Sequence, residues 1–321
     1  MKSRTRTLLS DLSRTDLRRT HARVHVQRKS WPTLQAMNRI LNVSCATANI
    51  ETLTVKEQLK TQQFRPQLHV FLQSKPGALK TTILEEIGHT HGVTPYSYAT
   101  YAAMIGSTDR TTGQFIPGLA WETRRKPLLL DEFRTGERGD AGATDVLLGV
   151  LESGHYKRKI ALSTGYLEEK DGLLFYRAQN GEIEVQTRFP CIIATMKNLE
   201  KNRSEKISAL VQRCIPIRYD LPDEVVDAVL QGSTLYRHQK LNPPRTAFIN
   251  RRDYGRIIAI AQEARSESRT FRESYARTVG DLCRIFAVLG HHDPQLYRLV
   301  CYLKAGYYID KAIELTEEET R

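Results

Sequence analysis

Long apolar runs are missing from this 321-residue sequence, and a helix needs roughly 20 consecutive apolar residues to span a bilayer. The basic opening, Met1 to Arg28, has no apolar centre, which excludes a secretory leader of the usual kind. Together these absences lead to the expectation of a soluble, cytoplasmic protein. Cysteine is also sparse: five residues, at 45, 191, 214, 283 and 301, with no pair at CxxC spacing. An odd, scattered set does not make a disulfide framework, and cysteines in apolar runs read as small buried hydrophobes. Nor do the histidines at 89, 91, 155, 291 and 292 fall at metal-ligand spacing with cysteines or acids; they read as surface or capping residues. There is no internal repeat and no long low-complexity tract.

Acidic residues are in deficit: 48 Lys and Arg against 36 Asp and Glu give a formal charge of +12 and a pI near 9.5. Such an excess favours a polyanionic partner, nucleic acid first, because cationic side chains neutralise phosphates and release counterions. Arg4, Arg6, Arg14, Arg18, Arg19, Arg23 and Arg28 crowd the first thirty positions, as a solvated helix or arm or as a nucleic-acid contact.

Two helix-like stretches, Trp31 to Leu41 and Val55 to Gln63, precede Pro66. From Leu68 the pattern changes. Short apolar runs at Leu68–Leu72, Pro127–Leu130, Phe189–Thr195 and Ile215–Tyr219 alternate with helical stretches, which predicts a parallel α/β sheet. Two polar segments interrupt it. Residues 98–122 turn at Thr111-Thr112-Gly113. Residues 160–188 hold Asn180-Gly181 between alternating runs, a hairpin signal. Beyond Asp223 the pattern is helical, clearest at Arg252–Ala264, Val279–Leu289 and Gln295–Ile313.

Two motifs carry chemistry. A phosphate loop needs backbone N–H groups facing the phosphates, a lysine for the β/γ oxygens and a hydroxyl for Mg²⁺. Ser74-Lys75-Pro76-Gly77-Ala78-Leu79-Lys80-Thr81-Thr82 follows a strand and opens a helix with lysine and threonine in place. Ser74 and Leu79 occupy the two glycine positions of the usual pattern, so the Leu79 side chain must point away from the phosphates. About fifty residues on, the apolar run to Leu130 ends in Asp131-Glu132-Phe133. An aspartate at such a strand end holds Mg²⁺, and the following glutamate is placed to polarise an attacking water.

With these residues in order the chain resembles AAA+ ATPases, in particular the minichromosome-maintenance (MCM) helicases and related replication proteins of mobile elements. Pro76-Gly77, Asp131-Glu132-Phe133, Cys191–Asn198 and Ser208-Ala209-Leu210-Val211-Gln212-Arg213 carry the likeness, over roughly residues 65–290. It implies a P-loop AAA+ core at 65–222 with a parallel sheet flanked by helices and two hairpin inserts. A basic, mainly helical segment would precede it at 1–64, and a small all-α C-terminal lid would follow at 223–321. It implies ATP and Mg²⁺ as ligands. Asn198 would place the water, although by itself it reads equally as a turn residue. Arg213 would act as a finger on a neighbour's ATP, or is a salt-bridged surface arginine. Thr278-Val279-Gly280 lacks the family's arginine, which assigns that duty to Arg277 or Arg284. Lys157, Arg158 and Lys159 would grip DNA inside a ring channel, or form a solvated turn. The implied assembly is a homo-oligomer, a hexamer by preference, around single-stranded DNA. Three functions stay open: a ring-forming DNA motor, an ATP-dependent loader or regulator that does not unwind, and a subunit that keeps the fold without turnover.

Overall fold

The structure, a computed structural model, describes residues 31–50, 52–56, 61–64, 67–97, 100–108, 111, 115–119, 126–133, 141–153, 155–159, 166–169, 174–177, 182–186, 191–195, 205–230, 238–243, 246–249, eight positions from 252 to 266, and 294–318. Its centre is a four-stranded parallel sheet of β3 (His69–Gln73), β6 (Leu128–Leu130), β11 (Cys191–Thr195) and β12 (Cys214–Arg218), in the order β12-β3-β11-β6. Tyr96 adds a single parallel bridge to Leu130 at the outer edge.

Each strand is apolar on both faces, as a sheet covered on both sides requires. The period of two assigns residues alternately to two clusters. Val70, Leu72, Leu129, Ala194, Ile215 and Ile217 face a layer made by helices α1 (Pro32–Ala46), α2 (Lys80–His91), α7 (Pro294–Lys304) and α8 (Ile309–Glu318). Phe71, Leu128, Leu130 and Cys214 face a second layer of α3 (Tyr101–Ile105), α4 (Ala141–Ser153) and α5 (Glu205–Arg213). Burying one such Leu or Ile contributes about 1.5–3 kcal/mol, so the alternation fixes which way each strand faces. The first cluster joins Leu34, Met37, Ile40 and Leu41 of α1 to Leu296, Tyr297, Val300 and Ile309 near the C-terminus. It therefore runs across the expected boundaries at 64 and 222.

Several expectations need correction. The stretch Val55–Gln63 is not helical where described. Thr52–Lys56 is strand β1 and Thr61–Phe64 is strand β2, paired antiparallel with Leu53 opposite Phe64. β1 also pairs in parallel with β13 (Thr246–Ile249). The run Thr52-Leu53-Thr54-Val55, β-branched at all but Leu53, suits a pleated surface better than a helix, and its partner is nearly two hundred residues away, invisible to a local pattern. For the same reason the region after 223 is not purely helical: α6 (Asp223–Leu230) is followed by β13. The helix expected over Gln295–Ile313 is two helices, α7 and α8, broken where Gly306 takes φ +98.

The insert at 98–122 contains the hairpin β4 (Gly106–Thr108) and β5 (Phe115–Pro117). The later insert is an antiparallel ribbon of β7 (His155–Lys159), β8 (Tyr166–Glu169), β9 (Leu174–Arg177) and β10 (Glu182–Gln186). Its ladders are β7–β10 and β8–β9. β9 and β10, on either side of Asn180-Gly181, approach within 8 Å. No helix among the described residues is long and apolar enough to cross a membrane.

Candidate functional site

The loop after β3 sits where the sheet order reverses, with β11 and β6 on one side of β3 and β12 on the other. Parallel α/β sheets bind ligands at this place, beyond the C-terminal ends of the strands. Ser74 to Leu79 form the loop and Lys80 is the first residue of α2, so the helix N-terminus and its partial positive charge face the loop. Ile83, Leu84 and Ile87 anchor the helix in the core. Gly88 lets it pack, because a Cβ there would lie 2.5 Å from the Val93 carbonyl oxygen.

Within the loop Gly77 takes φ +80, and a Cβ built on it would meet nothing within 4 Å, so the loop is open on that side. Pro76 and Gly77 are exposed, Ala78 is buried, and Thr82 points to solvent in the first turn. Leu79 takes φ 59, a left-handed conformation that costs a non-glycine residue about 1–2 kcal/mol. Its side chain is half-buried against the first core cluster, which offsets that strain and explains how leucine stands where a glycine is usual.

Lys80 is buried. Its Nζ donates to the Ser74 carbonyl oxygen (2.8 Å), the Ser74 Oγ (2.9 Å) and the Lys75 carbonyl oxygen (2.7 Å). Burial lowers its pKa and the nearby Asp131 charge opposes that shift. Thr81 Oγ1 donates to Asp131 Oδ2 at 2.7 Å, which closes the gap of fifty residues between the two motifs. Asp131 is itself buried. It is fixed by its backbone N–H to the Tyr96 carbonyl oxygen (2.8 Å) and by Oδ1, which accepts from the Glu132 N–H (3.0 Å). Glu132 is half-buried and takes φ 50, the kind of backbone strain that gathers at functional sites. The Phe133 N–H donates to the Ala194 carbonyl oxygen of β11 at 3.0 Å, tying the acidic turn to the neighbouring strand.

Arg213 ends α5, with Nη1 donating to the Ala209 carbonyl oxygen at 2.9 Å. Lys304 caps the same helix end through the Gln212 (2.8 Å) and Cys214 (3.1 Å) carbonyl oxygens. Lys157, Arg158 and Lys159 lie on β7, where the register sets Lys157 opposite Glu184 and Lys159 opposite Glu182. Asn198 and Arg277 lie outside the described residues.

Sequence reasoning missed Tyr219. Just past β12, it is fully buried and its hydroxyl donates to the Ala78 carbonyl oxygen at 2.9 Å, bracing the loop after β3 from behind. Burial raises its pKa well above the ordinary phenol value. A polar-tipped aromatic closing an apolar strand was the available signal. Also missed was the pairing of His91 with His238, whose Nε2 atoms are 2.9 Å apart. Cys45 lies with them: the two ring nitrogens and its Sγ are all within 4.8 Å of one another. His91, read as surface or capping, is half-buried instead. In sequence the chain matches no protein-family model and no curated protein.

Proposed function

We propose that this chain is an AAA+ ATPase of the MCM-like kind that binds Mg-ATP at the β3–α2 loop, hydrolyses it, and uses the cycle to move on DNA. The observation that carries the proposal is the Thr81 Oγ1–Asp131 Oδ2 contact of 2.7 Å. It brings a hydroxyl and a carboxylate from separate motifs to one point beside Lys80. Two oxygen donors of this kind suit Mg²⁺, which takes one or two protein oxygens and fills its other positions with phosphate and water. The Mg²⁺ carried by the nucleotide would neutralise charge developing on the phosphates.

The chain's own groups divide the remaining work. Loop N–H groups and the α2 N-terminus receive phosphate oxygens. Lys80 exchanges its loop oxygens for the β/γ oxygens. Glu132 accepts a proton from the attacking water as the water oxygen bonds to the γ-phosphorus and the bridging P–O bond to ADP breaks. Arg213, acting on a neighbouring copy's nucleotide, stabilises the transition-state charge, and Asn198 places the water. That arrangement makes a ring or filament the working form, with hydrolysis between subunits. The net charge of +12 and the basic β7 strand support DNA as the track, held by its backbone without base readout.

The test is ATP hydrolysis and DNA strand displacement by the untagged chain, beside Mg-ATP calorimetry. Lys80→Ala is expected to lose nucleotide binding and displacement together. Glu132→Gln is expected to keep binding and slow turnover by about 100-fold or more. Assembly on DNA with ATP but no displacement would replace the motor with a loader. No Mg-ATP binding at millimolar nucleotide would overturn the ATPase reading altogether.

A further inference from the structure

Three chemically soft side chains meet on the side of α2 farthest from the phosphate loop. Cys45 comes from the last turn of α1, His91 is the final residue of α2, and His238 belongs to the segment after α6. We infer that Cys45 Sγ, His91 Nε2 and His238 Nε2 form a binding site for one zinc ion, a clamp joining these three stretches.

The donor set is the first argument. Thiolate and imidazole are the ligands zinc prefers, and three of them supply all but one position of a tetrahedral site. The arrangement is the second. Zn–N bonds of about 2.0–2.1 Å and Zn–S bonds of about 2.3 Å place tetrahedral donor atoms roughly 3.3–3.8 Å apart. The three donors here already lie within 4.8 Å of one another. The two Nε2 atoms at 2.9 Å need to open by only a few tenths of an ångström. The rings meet at an interplanar angle of 56°, so they are tilted and not stacked.

Support around the donors is the third argument. Cys45 and His238 are buried, at 1% and 5% exposure, so a bound ion would be shielded, with the half-buried His91 side as its way in. The Gln239 N–H donates to Asn42 Oδ1 at 3.1 Å, which pins the backbone beside His238 to α1, one turn before Cys45. Position on the helix is the fourth. The C-terminal end of α2 carries partial negative charge, and cations are favoured there. Binding balances simply: the Cys45 thiol gives its proton to solvent as sulfur takes the metal, and both imidazoles bind through neutral nitrogen.

This inference stands apart from the ATPase proposal, since it concerns the other end of the helix. The experiment uses the untagged full-length chain. Elemental analysis of protein grown with zinc is expected to give about one zinc per chain. After chelation, cobalt(II) titration is expected to produce thiolate-to-cobalt charge transfer and tetrahedral d–d bands, saturating at about one equivalent. Cys45→Ser should abolish the charge-transfer band. His238→Ala should weaken cobalt binding by about 100-fold or more. Cys301→Ser, a buried cysteine in α7, should change neither. If the ligand variants fail to fold, the unaltered chain decides the matter alone. Absence of both zinc and the cobalt bands overturns the site, and so does a cobalt spectrum without thiolate charge transfer.

Discussion

Helix α2 has different chemistry at its two ends. At its start, a buried lysine is surrounded by backbone oxygens and the helix dipole faces outward with its positive pole, a setting for a polyanion. At its finish, two imidazoles and a thiol converge at the negative pole, a setting for a cation. The helix has 12 residues, so the two ends are about 18 Å apart at 1.5 Å per residue. At that separation two unit charges interact by roughly 1 kcal/mol at an effective dielectric of about 20. A charge at one end therefore has little hold on the ligand at the other.

Disabling one end of α2 and measuring at both separates the two chemistries. Lys80→Ala is expected to weaken Mg-ATP binding by roughly 30–100-fold or more, the worth of a charge-assisted contact, while zinc stoichiometry stays unchanged. His91→Ala is expected to do the reverse, with nucleotide affinity within about threefold of the parent. Calorimetry and elemental analysis on both variants check this. Nucleotide affinity that collapsed in His91→Ala would mean the two ends are not independent.

Next in size is a pH effect confined to the far end. Burial, reinforced by Lys240, lowers the His91 pKa from 6.5 to about 4; burial, reinforced by His91, lowers that of His238 to about 3. Both folded-state values lie below the unfolded value, so the unfolded chain takes up protons first as pH falls. The stabilisation is fully present above 6.5 and is lost as pH drops through 6.5 toward 4 and then 3. Chelator-treated protein should show Tm falling across that window, and the His91→Ala, His238→Ala double variant should show a flatter profile.

Smaller effects test the near end. Tyr219→Phe removes the hydroxyl that donates to the Ala78 carbonyl oxygen. It is expected to cost about 1 kcal/mol in denaturant unfolding and to weaken Mg-ATP binding several-fold. Leu79→Gly is expected to change stability least, within about 1 kcal/mol, because relief of the left-handed strain offsets the lost burial. Leu79→Ala keeps the strain and loses the burial, so it should be the less stable of the two in the same unfolding experiment. Leu79→Gly well below Leu79→Ala would show that strain at φ 59 is not what opposes burial there.

Contiguity explains what could be read from the sequence. The loop after β3, the acidic strand end and the four apolar strands are local patterns, and in the structure Thr81 Oγ1 meets Asp131 Oδ2 beside Lys80. Leu79, at a position where the usual pattern has glycine, packs its side chain against the core. The zinc ligands are separated by 46 and 147 positions, so no spacing rule links them. The stretch Val55–Gln63, which holds the end of β1 and the start of β2, reads as helix locally because β13, the parallel partner of β1, lies far along the chain. Tyr219 resembled any strand-ending aromatic until the fold set its hydroxyl against the loop.

The contacts of Lys80 have one more consequence. Its three oxygen partners belong to the loop that the proposed nucleotide would occupy, so without a ligand the ammonium is already satisfied. A guest must outbid those three contacts to recruit it. A single weak anion such as chloride offers one interaction and gains little by the exchange. A chain of phosphates offers several at once, spread over the loop N–H groups and the helix end. Under the proposed function the lysine would thereby act as a threshold that screens ligands by the number of charges they present together.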